Sequence, residues 1–135
     1  MLSKPEHGWA DVEIGDFRGR ASYLTDVPND CLDAFIYALA NNAPTVIYFD
    51  AEGWEYYLVA SYWNSYVITD KDSAEVYYSD LSYRALANEL IDDIENNIDD
   101  WANWMCYRDF DDSELEQNKQ VLEGKLQKIK MLLSS

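Results

Sequence analysis

Hydrophobic and polar residues alternate along two parts of the chain, and this two-residue period predicts strands. The segment "GWADVEIGDFRGRASYLT", residues 8 to 25, alternates on both sides of Gly15-Asp16 and therefore predicts a two-stranded hairpin. From Thr45 onward, the segments "TVIYFD", "EYYLVASYW" and "SYVIT" predict successive strands, and "AEVYYS" brings the expected sheet to five or six strands. The short turn "DAEGW" joins the first two of these segments, so we expect antiparallel neighbours.

Three other segments have the three- to four-residue spacing of an amphipathic helix. Pro28 stands at a first-turn position, and the apolar residues after it predict a short helix that ends near Asn41-Asn42. A second helix is predicted over Leu86–Met105, about five turns with one apolar side. Ser113 followed by Glu116 matches a capping box for a last helix, whose apolar side continues towards the C-terminus.

The order of these elements predicts the fold class. Strands and helices are grouped rather than alternating, and the links between the central strands are too short to hold crossover helices. We therefore predict a single α+β domain over residues 1–135. In this prediction, one mainly antiparallel sheet of five to six strands has one short and two long helices packed on it.

The charge balance narrows the classes of partner. The chain of 135 residues has 26 Asp and Glu against 10 Lys and Arg, a net charge of −16. Its 48% hydrophobic content is too high for a disordered acidic tail. Nucleic acid and anionic lipid would be repelled at long range, whereas a basic protein would be attracted. We therefore predict a basic protein partner and no direct contact with nucleic acid or membrane.

The residue types that usually carry catalysis or bind metals are few and scattered. His7 is the only histidine and stands near the N-terminus, so neither a zinc site nor Ser-His or Cys-His activation can be assembled. The five glycines do not form a phosphate-binding loop. The sequence therefore predicts no enzyme activity, no metal and no cofactor. Two cysteines, Cys31 and Cys106, and a start without a signal-peptide pattern predict a cytoplasmic protein with reduced thiols.

One acidic turn leaves an alternative open. Asp50, Glu52 and Glu55 surround the turn between two predicted strands, and a carboxylate pair is the group that glycosidases use. Their position in a turn favours solvated surface charge, and we treat the three residues as secondary interface candidates. A small enzyme that uses Asp50 and Glu52 is kept as an alternative hypothesis.

The second predicted helix has two faces of opposite character. On a helical wheel its apolar residues fall on one side, and we expect every acid to face outward on the other. Like charges at i and i+4, such as Glu89 with Asp93, cost about 0.2–0.5 kcal/mol per pair, so this face needs a reason beyond solubility. The acidic charge continues to Glu116. The predicted contact residues are carboxylates and two aromatic anchors: Asp92, Glu95, Asp99, Asp100, Asp109, Asp111, Asp112, Tyr107 and Phe110.

Two stretches of the chain resemble a known class of proteins. They are "ASYLTDVPNDCLDAFIYAL" and "VIYFDAEGWEYYLVASYWNSYVI". The first contains a predicted helix that begins with polar residues, and the second contains a strand, a "DAEG" turn and an aromatic strand. Over roughly residues 8 to 70, this pattern is similar to bacterial immunity proteins of polymorphic toxin and contact-dependent growth inhibition systems. The resemblance implies a cytoplasmic protein that binds and neutralises one cognate toxin domain, often a nuclease.

We therefore expect a toxin-neutralising protein whose acidic surface covers the basic active site of its target. One alternative is a DNA mimic or regulatory module that inhibits a nucleic-acid-binding protein. A DNA mimic needs carboxylates spaced along a rod like duplex phosphates, which a compact sheet fits less well. The other alternative is the small enzyme with an Asp and Glu pair.

Overall fold

The computed structural model of the chain describes residues 1–104 and 109–135, and it confirms an α+β fold. The elements of the described part are β1 Trp9–Ile14, β2 Phe17–Ser22, α1 Val27–Asn41, β3 Thr45–Asp50, β4 Glu55–Ala60, β5 Ser65–Thr69, β6 Glu75–Ser79, α2 Tyr83–Glu95, α3 Ile98–Ala102 and α4 Asp112–Leu133. The predicted hairpin, the helix after Pro28 and the strands from Thr45 onward are confirmed.

The strands form two antiparallel sheets, so the prediction of one sheet of five to six strands is wrong. β1 and β2 form a two-stranded sheet, whereas β3, β4, β5 and β6 pair in chain order as a four-stranded sheet. The hairpin packs on a face of the four-stranded sheet through Phe17 and Tyr56, so its strands do not extend that sheet at an edge. The alternation of residues in the sequence does not distinguish these two arrangements.

The β1–β2 hairpin packs against one face of the four-stranded sheet. The centroid of the Phe17 ring lies 4.9 Å from that of Tyr56 and 5.3 Å from that of Tyr77. The hydroxyl of the buried Tyr56 donates a hydrogen bond of 2.9 Å to the carbonyl oxygen of Arg20. Gly19 permits this close approach, because an added Cβ would lie 2.7 Å from Phe17 Cζ and 3.2 Å from Tyr56 Cζ. These contacts join the two sheets through a shared hydrophobic core.

The helices pack on the sheet and on one another. α1 lies against β3, and its buried Leu32 and Phe35 enter the core. α2 and α4 pack against α1, and α3 packs against α4. At the surface, Lys125 of α4 forms an ion pair of 3.0 Å with Asp33 of α1. α4 is therefore an outer helix that covers the helices beneath it.

The helix predicted over Leu86–Met105 is divided into α2 and α3, so the prediction of one continuous helix is wrong. Asn96 and Asn97 separate the two helices. Asn97 has φ −131° and ψ 35°, outside the helical region, and its side-chain amide donates to the carbonyl oxygen of Asp93 at 3.3 Å. Asn side chains compete for backbone hydrogen bonds in this way, which lowers their helix propensity. The apolar residues keep helical spacing across this break, so the sequence pattern did not predict it.

α4 begins before the predicted capping box of Ser113 and Glu116. Its N-cap is Asp111, whose side chain accepts a hydrogen bond of 2.8 Å from the backbone N–H of Glu114. Asp is a favourable N-cap residue, and its negative charge is stabilised at the positive end of the helix. The predicted box was wrong because the same three-residue spacing occurs two residues earlier.

The four-stranded sheet buries one face and exposes the other. Buried residues alternate with exposed or half-buried ones along β3, β4 and β5, and Phe49, Tyr56 and Leu58 belong to the buried set. Residues of the hairpin and of α1 share one core cluster with this set. In β6, every residue except Ser79 is exposed. The sheet is therefore covered on one side, and solvent reaches the other.

We expect Gly19→Ala to lower the free energy of unfolding by about 1 to 3 kcal/mol, because the Phe17 ring is held between Tyr56 and Tyr77. Gly124→Ala is the control, since nothing lies within 4 Å of an added Cβ in this exposed part of α4. The control should raise the free energy of unfolding by about 0.5 to 1 kcal/mol through helix propensity. Urea denaturation measures both values. Equal stability of the two variants would contradict the tight contact between hairpin and sheet.

Candidate functional site

The predicted acidic surface lies along α2, α3 and the start of α4. Its seven carboxylate residues are all exposed: Asp92, Glu95, Asp99, Asp100, Asp109, Asp111 and Asp112. We call these residues the helical acidic surface. Of the two predicted aromatic anchors, Phe110 is half-buried, and Tyr107 lies outside the described residues.

Two of these carboxylates are paired with lysines of α4. Glu95 forms an ion pair with Lys130, and Asp99 forms one with Lys119 at 3.2 Å. The hydrogen bond to Asp99 raises the pKa of Lys119. Exposed pairs of this kind contribute little to stability, because solvent screens the charges. Their main effect is to neutralise two positions that a basic partner would otherwise meet.

Two further acids of α2 contact the N-terminus. Glu89 is exposed, but Asp93 is half-buried, so the expectation that every acid of this helix faces outward is wrong for Asp93. The Met1 ammonium lies 3.0 Å from a Glu89 carboxylate oxygen and 3.0 Å from one of Asp93. Asp93 also accepts a hydrogen bond of 2.9 Å from the backbone N–H of Leu2. Burial lowers the pKa of the ammonium, but its hydrogen bonds to Asp93 and Glu89 outweigh burial, and the pKa is raised. The two like charges are thus offset by one shared cation.

Four acids of the helical acidic surface have no ion-pair partner within residues 1–104 and 109–135. Asp92, Asp100, Asp109 and Asp112 are exposed, and their carboxylates accept no hydrogen bond from the described residues. Asp111 differs from them because it caps α4. The four unpaired carboxylates are therefore accessible to the Lys and Arg side chains of a partner.

Asp100 and Asp109 line an open cleft together with Glu6 of the N-terminal loop. The cleft has a volume of about 290 Å³, and Trp104 forms part of its wall. The Trp104 ring is buried, and its indole N–H donates a hydrogen bond of 2.9 Å to the carbonyl oxygen of Thr25. The fold thus brings together acids from α3, from the segment before α4 and from the N-terminal loop.

The secondary candidates Asp50, Glu52 and Glu55 surround the β3–β4 turn. Asp50 Oδ1 accepts a hydrogen bond of 2.7 Å from the backbone N–H of Glu52, which has a left-handed φ of 55°. The Tyr48 hydroxyl donates to Glu55 Oε2 at 2.8 Å, and this hydrogen bond is the main cause that raises the pKa of Tyr48. Asp50 therefore stabilises the turn, and Glu55 is held in place by Tyr48.

The sequence interpretation missed the exposed face of the four-stranded sheet. Its side chains stand in two cross-strand rows, Val46-Val59-Tyr66-Tyr78 and Tyr48-Tyr57-Ile68-Val76. All eight are exposed or half-buried. We call these eight residues the outward sheet face. The alternation in the strands was the signal, because every second residue must point away from the core, and these residues are apolar or aromatic rather than charged.

A second exposed aromatic group lies in the turn between β4 and β5. Tyr62 is 58% exposed and Trp63 is 78% exposed, with 5.1 Å between their ring centroids. The Ser61 hydroxyl oxygen accepts hydrogen bonds from the backbone N–H groups of Trp63 and Asn64. These bonds fix the turn that presents the two rings to solvent.

The described residues offer little for metal or thiol chemistry. In residues 1–104 and 109–135, no cluster of His, Cys, Asp and Glu could hold a metal ion. The Cys31 thiol is buried, and burial raises its pKa, which makes it a poor nucleophile. No helix in the same part of the chain is both long and apolar enough to cross a membrane.

No family model, curated protein or solved structure matches the chain.

We expect Asp93→Asn to lower the free energy of unfolding by about 1 to 2 kcal/mol at neutral pH, because it removes a charged partner of the Met1 ammonium. Asp92→Asn is the control at the preceding position, where the carboxylate is exposed and has no partner in the described chain. The control should change the free energy of unfolding by less than about 0.5 kcal/mol. Urea denaturation measures both variants.

The effect of Asp93→Asn should also depend on pH. Because folding raises the pKa of the ammonium, its contribution is complete below the ordinary value of about 8 and is lost as the pH rises through the folded-state value. The stability difference between wild type and Asp93→Asn should therefore shrink between about pH 7 and about pH 10. A difference that stays constant over this range would contradict the ion pair.

Proposed function

We propose that this protein is an immunity protein that binds a cognate basic toxin domain in the cytoplasm and blocks its active site without chemistry of its own. The observation that carries the proposal is the set of four exposed carboxylates without a partner among the described residues: Asp92, Asp100, Asp109 and Asp112. The resemblance over roughly residues 8 to 70 supports the same class of protein.

The net charge of −16 supports rapid association with a basic target. Attraction between opposite charges raises association rates by about one to three orders of magnitude. It also weakens as salt is added, because the screening length falls from about 30 Å at 0.01 M to about 8 Å at 0.15 M. Fast capture is useful for an inhibitor, since a toxin must be bound before it reaches its substrate.

The cleft between α3 and the N-terminal loop places some of these carboxylates around a concave site. A Lys or Arg side chain of the partner that enters between Asp100 and Asp109 would form charge-assisted hydrogen bonds, which are stronger than neutral ones. If the toxin is a nuclease, these carboxylates compete for the basic residues that hold phosphate groups. Inhibition then requires only stoichiometric binding over the active site.

Co-expression tests the proposed function. The proposal predicts that the gene immediately upstream encodes a large secreted protein with a basic C-terminal domain, and this domain is the toxin to test. Expression of that domain alone should arrest growth, and co-expression with this protein should restore growth and yield an equimolar complex. Growth arrest that persists although the protein is expressed and folded would refute the proposal.

Charge reversal tests the role of the helical acidic surface. Asp92→Lys with Asp100→Lys should slow association with the toxin domain about tenfold at low salt, because it removes unpaired negative charge. The control is Asp11→Lys with Asp16→Lys, which makes the same change in net charge at exposed positions of the β1–β2 hairpin. Stopped-flow measurements at about 50 mM and about 300 mM salt give both rates. Equal rates for the two variants would show that attraction of the toxin domain does not depend on the helical acidic surface.

A further inference from the structure

The outward sheet face is apolar and aromatic across its full width. Its rows place valine, isoleucine and tyrosine side chains of four neighbouring strands side by side, and the ring centroids of Tyr48 and Tyr57 lie 5.4 Å apart. The most exposed members are on β6, where Val76 is 66% and Tyr78 is 62% exposed. None of the eight residues belongs to the core cluster or to the hydrophobic residues packed against it. Large continuous apolar patches on a protein surface often mark contact with another molecule.

Standard strand geometry gives the approximate size of this face. Four strands about 4.8 Å apart, with same-face residues about 6.7 Å apart along each strand, cover roughly 250 Å² in projection. One side of a stable interface buries about 800 Å². The outward sheet face is therefore large enough for the apolar centre of an interface, and the rest of the contact must come from its rim.

The rim at one end of this face is acidic. Asp50 and Glu55 form the next cross-strand pair on this face after Tyr48 and Tyr57. Their side chains therefore lie on the side of the sheet opposite the core residues. Asp70 accepts a hydrogen bond of 3.0 Å from the backbone N–H of Glu55. Glu55 raises the pKa of both tyrosines, mainly through a hydrogen bond from the Tyr48 hydroxyl and through its negative charge at Tyr57. Carboxylates and tyrosine hydroxyls thus border the apolar rows.

The segment that contains the four-stranded sheet, residues 45–83, has almost no positive charge. Residues 45–83 contain seven acids and one base, Lys71, whose ammonium lies 5.4 Å from the centroid of the Trp54 ring. The helical layer differs, since three lysines of α4 pair with acids there. Within the described chain, the rim acids Asp50, Glu55 and Asp70 have no ion-pair partner of this kind.

The charges favour a basic partner over a second copy of this chain. Two copies of the chain would repel each other at long range, because each has a net charge of −16. A basic protein reverses the sign of this interaction. Its Lys and Arg side chains would satisfy the rim carboxylates, while its apolar residues would cover the two rows.

We propose that the outward sheet face is the centre of the interface with a basic protein, whose Lys or Arg side chains contact Asp50, Glu55 and Asp70. This inference rests on the proposed function for the identity of the partner. It places the apolar contacts of the interface on the side of the sheet that lies away from the helices. The helical acidic surface then supplies long-range attraction.

Substitutions on β6 test this assignment. Val76→Thr with Tyr78→Ser removes apolar surface from the outward sheet face. The fold should be retained, because these are the two most exposed positions of the face. The affinity for the toxin domain encoded upstream should fall about tenfold or more. The matched control is Val121→Thr with Tyr37→Ser, the same chemical changes at positions 50% and 53% exposed on α4 and α1. The control should leave the affinity unchanged.

Isothermal titration calorimetry measures the affinities, and circular dichroism with urea denaturation confirms that each variant is folded. Equal affinities for the β6 variant and its control would overturn the proposal. A dimer of the wild-type chain that dissociates in the β6 variant, seen by sedimentation, would also overturn it in favour of a second copy.

A peptide probe separates this proposal from the proposed function. The probe is a short peptide of alternating Arg and Val, and its control is the corresponding peptide of Glu and Val. Titrated into isotope-labelled protein, the Arg-Val peptide should shift amide NMR signals of β3, β4, β5 and β6, and Val76→Thr with Tyr78→Ser should abolish the shifts. No shifts, or shifts confined to α2, α3 and α4, would overturn the proposal. Binding of the probe to the sheet without neutralisation of the upstream toxin domain would refute the proposed function alone.

Discussion

Tyr56 connects the two sheets, and the arrangement of the other elements depends on its contacts. Its ring stacks on Phe49 of the neighbouring strand and packs against Phe17 of the hairpin, while its hydroxyl donates to the carbonyl oxygen of Arg20. A buried hydroxyl that lost this acceptor would cost about 1 to 3 kcal/mol. The hairpin is therefore held on the same face of the sheet as α1. The hairpin and α1 both pack on one side of the sheet, and the other side is therefore exposed to solvent.

The acidic residues of this protein have two separate roles. Glu89 and Asp93 share the Met1 ammonium, and lysines of α4 pair with Glu95 and Asp99. A face that is unfavourable as an isolated helix is thus tolerated, because cations distant in sequence lie beside it in the fold. The carboxylates on α2, α3 and the sheet rim that have no ion-pair partner among the described residues produce a negative electrostatic potential that extends into solvent. The first group is neutralised within the fold, and the second is the group that we propose attracts a basic protein.

The elements that follow local rules could be predicted from the sequence, and those that depend on distant contacts could not. Alternation around Gly15-Asp16 and the position of Pro28 are local signals, and the hairpin and α1 followed from them. The division into two sheets depends on how the hairpin packs after α1. The role of Asp93 depends on Met1, and no helical wheel contains that contact. Similarly, alternation shows that a strand has two faces, but only the packed fold shows which face the helices leave exposed.

Trp63 gives the molecule a natural optical signal at one end of the sheet. Its indole ring is 78% exposed, whereas Trp101 and Trp104 are buried, and Trp9 and Trp54 are half-buried. A water-soluble quencher of fluorescence collides most readily with the exposed ring, so emission from this one indole can be separated from that of the others. The ring lies in the turn that joins β4 and β5, two strands that contribute to both rows of the outward sheet face. The unlabelled protein can therefore report events at this end of the sheet through its own fluorescence.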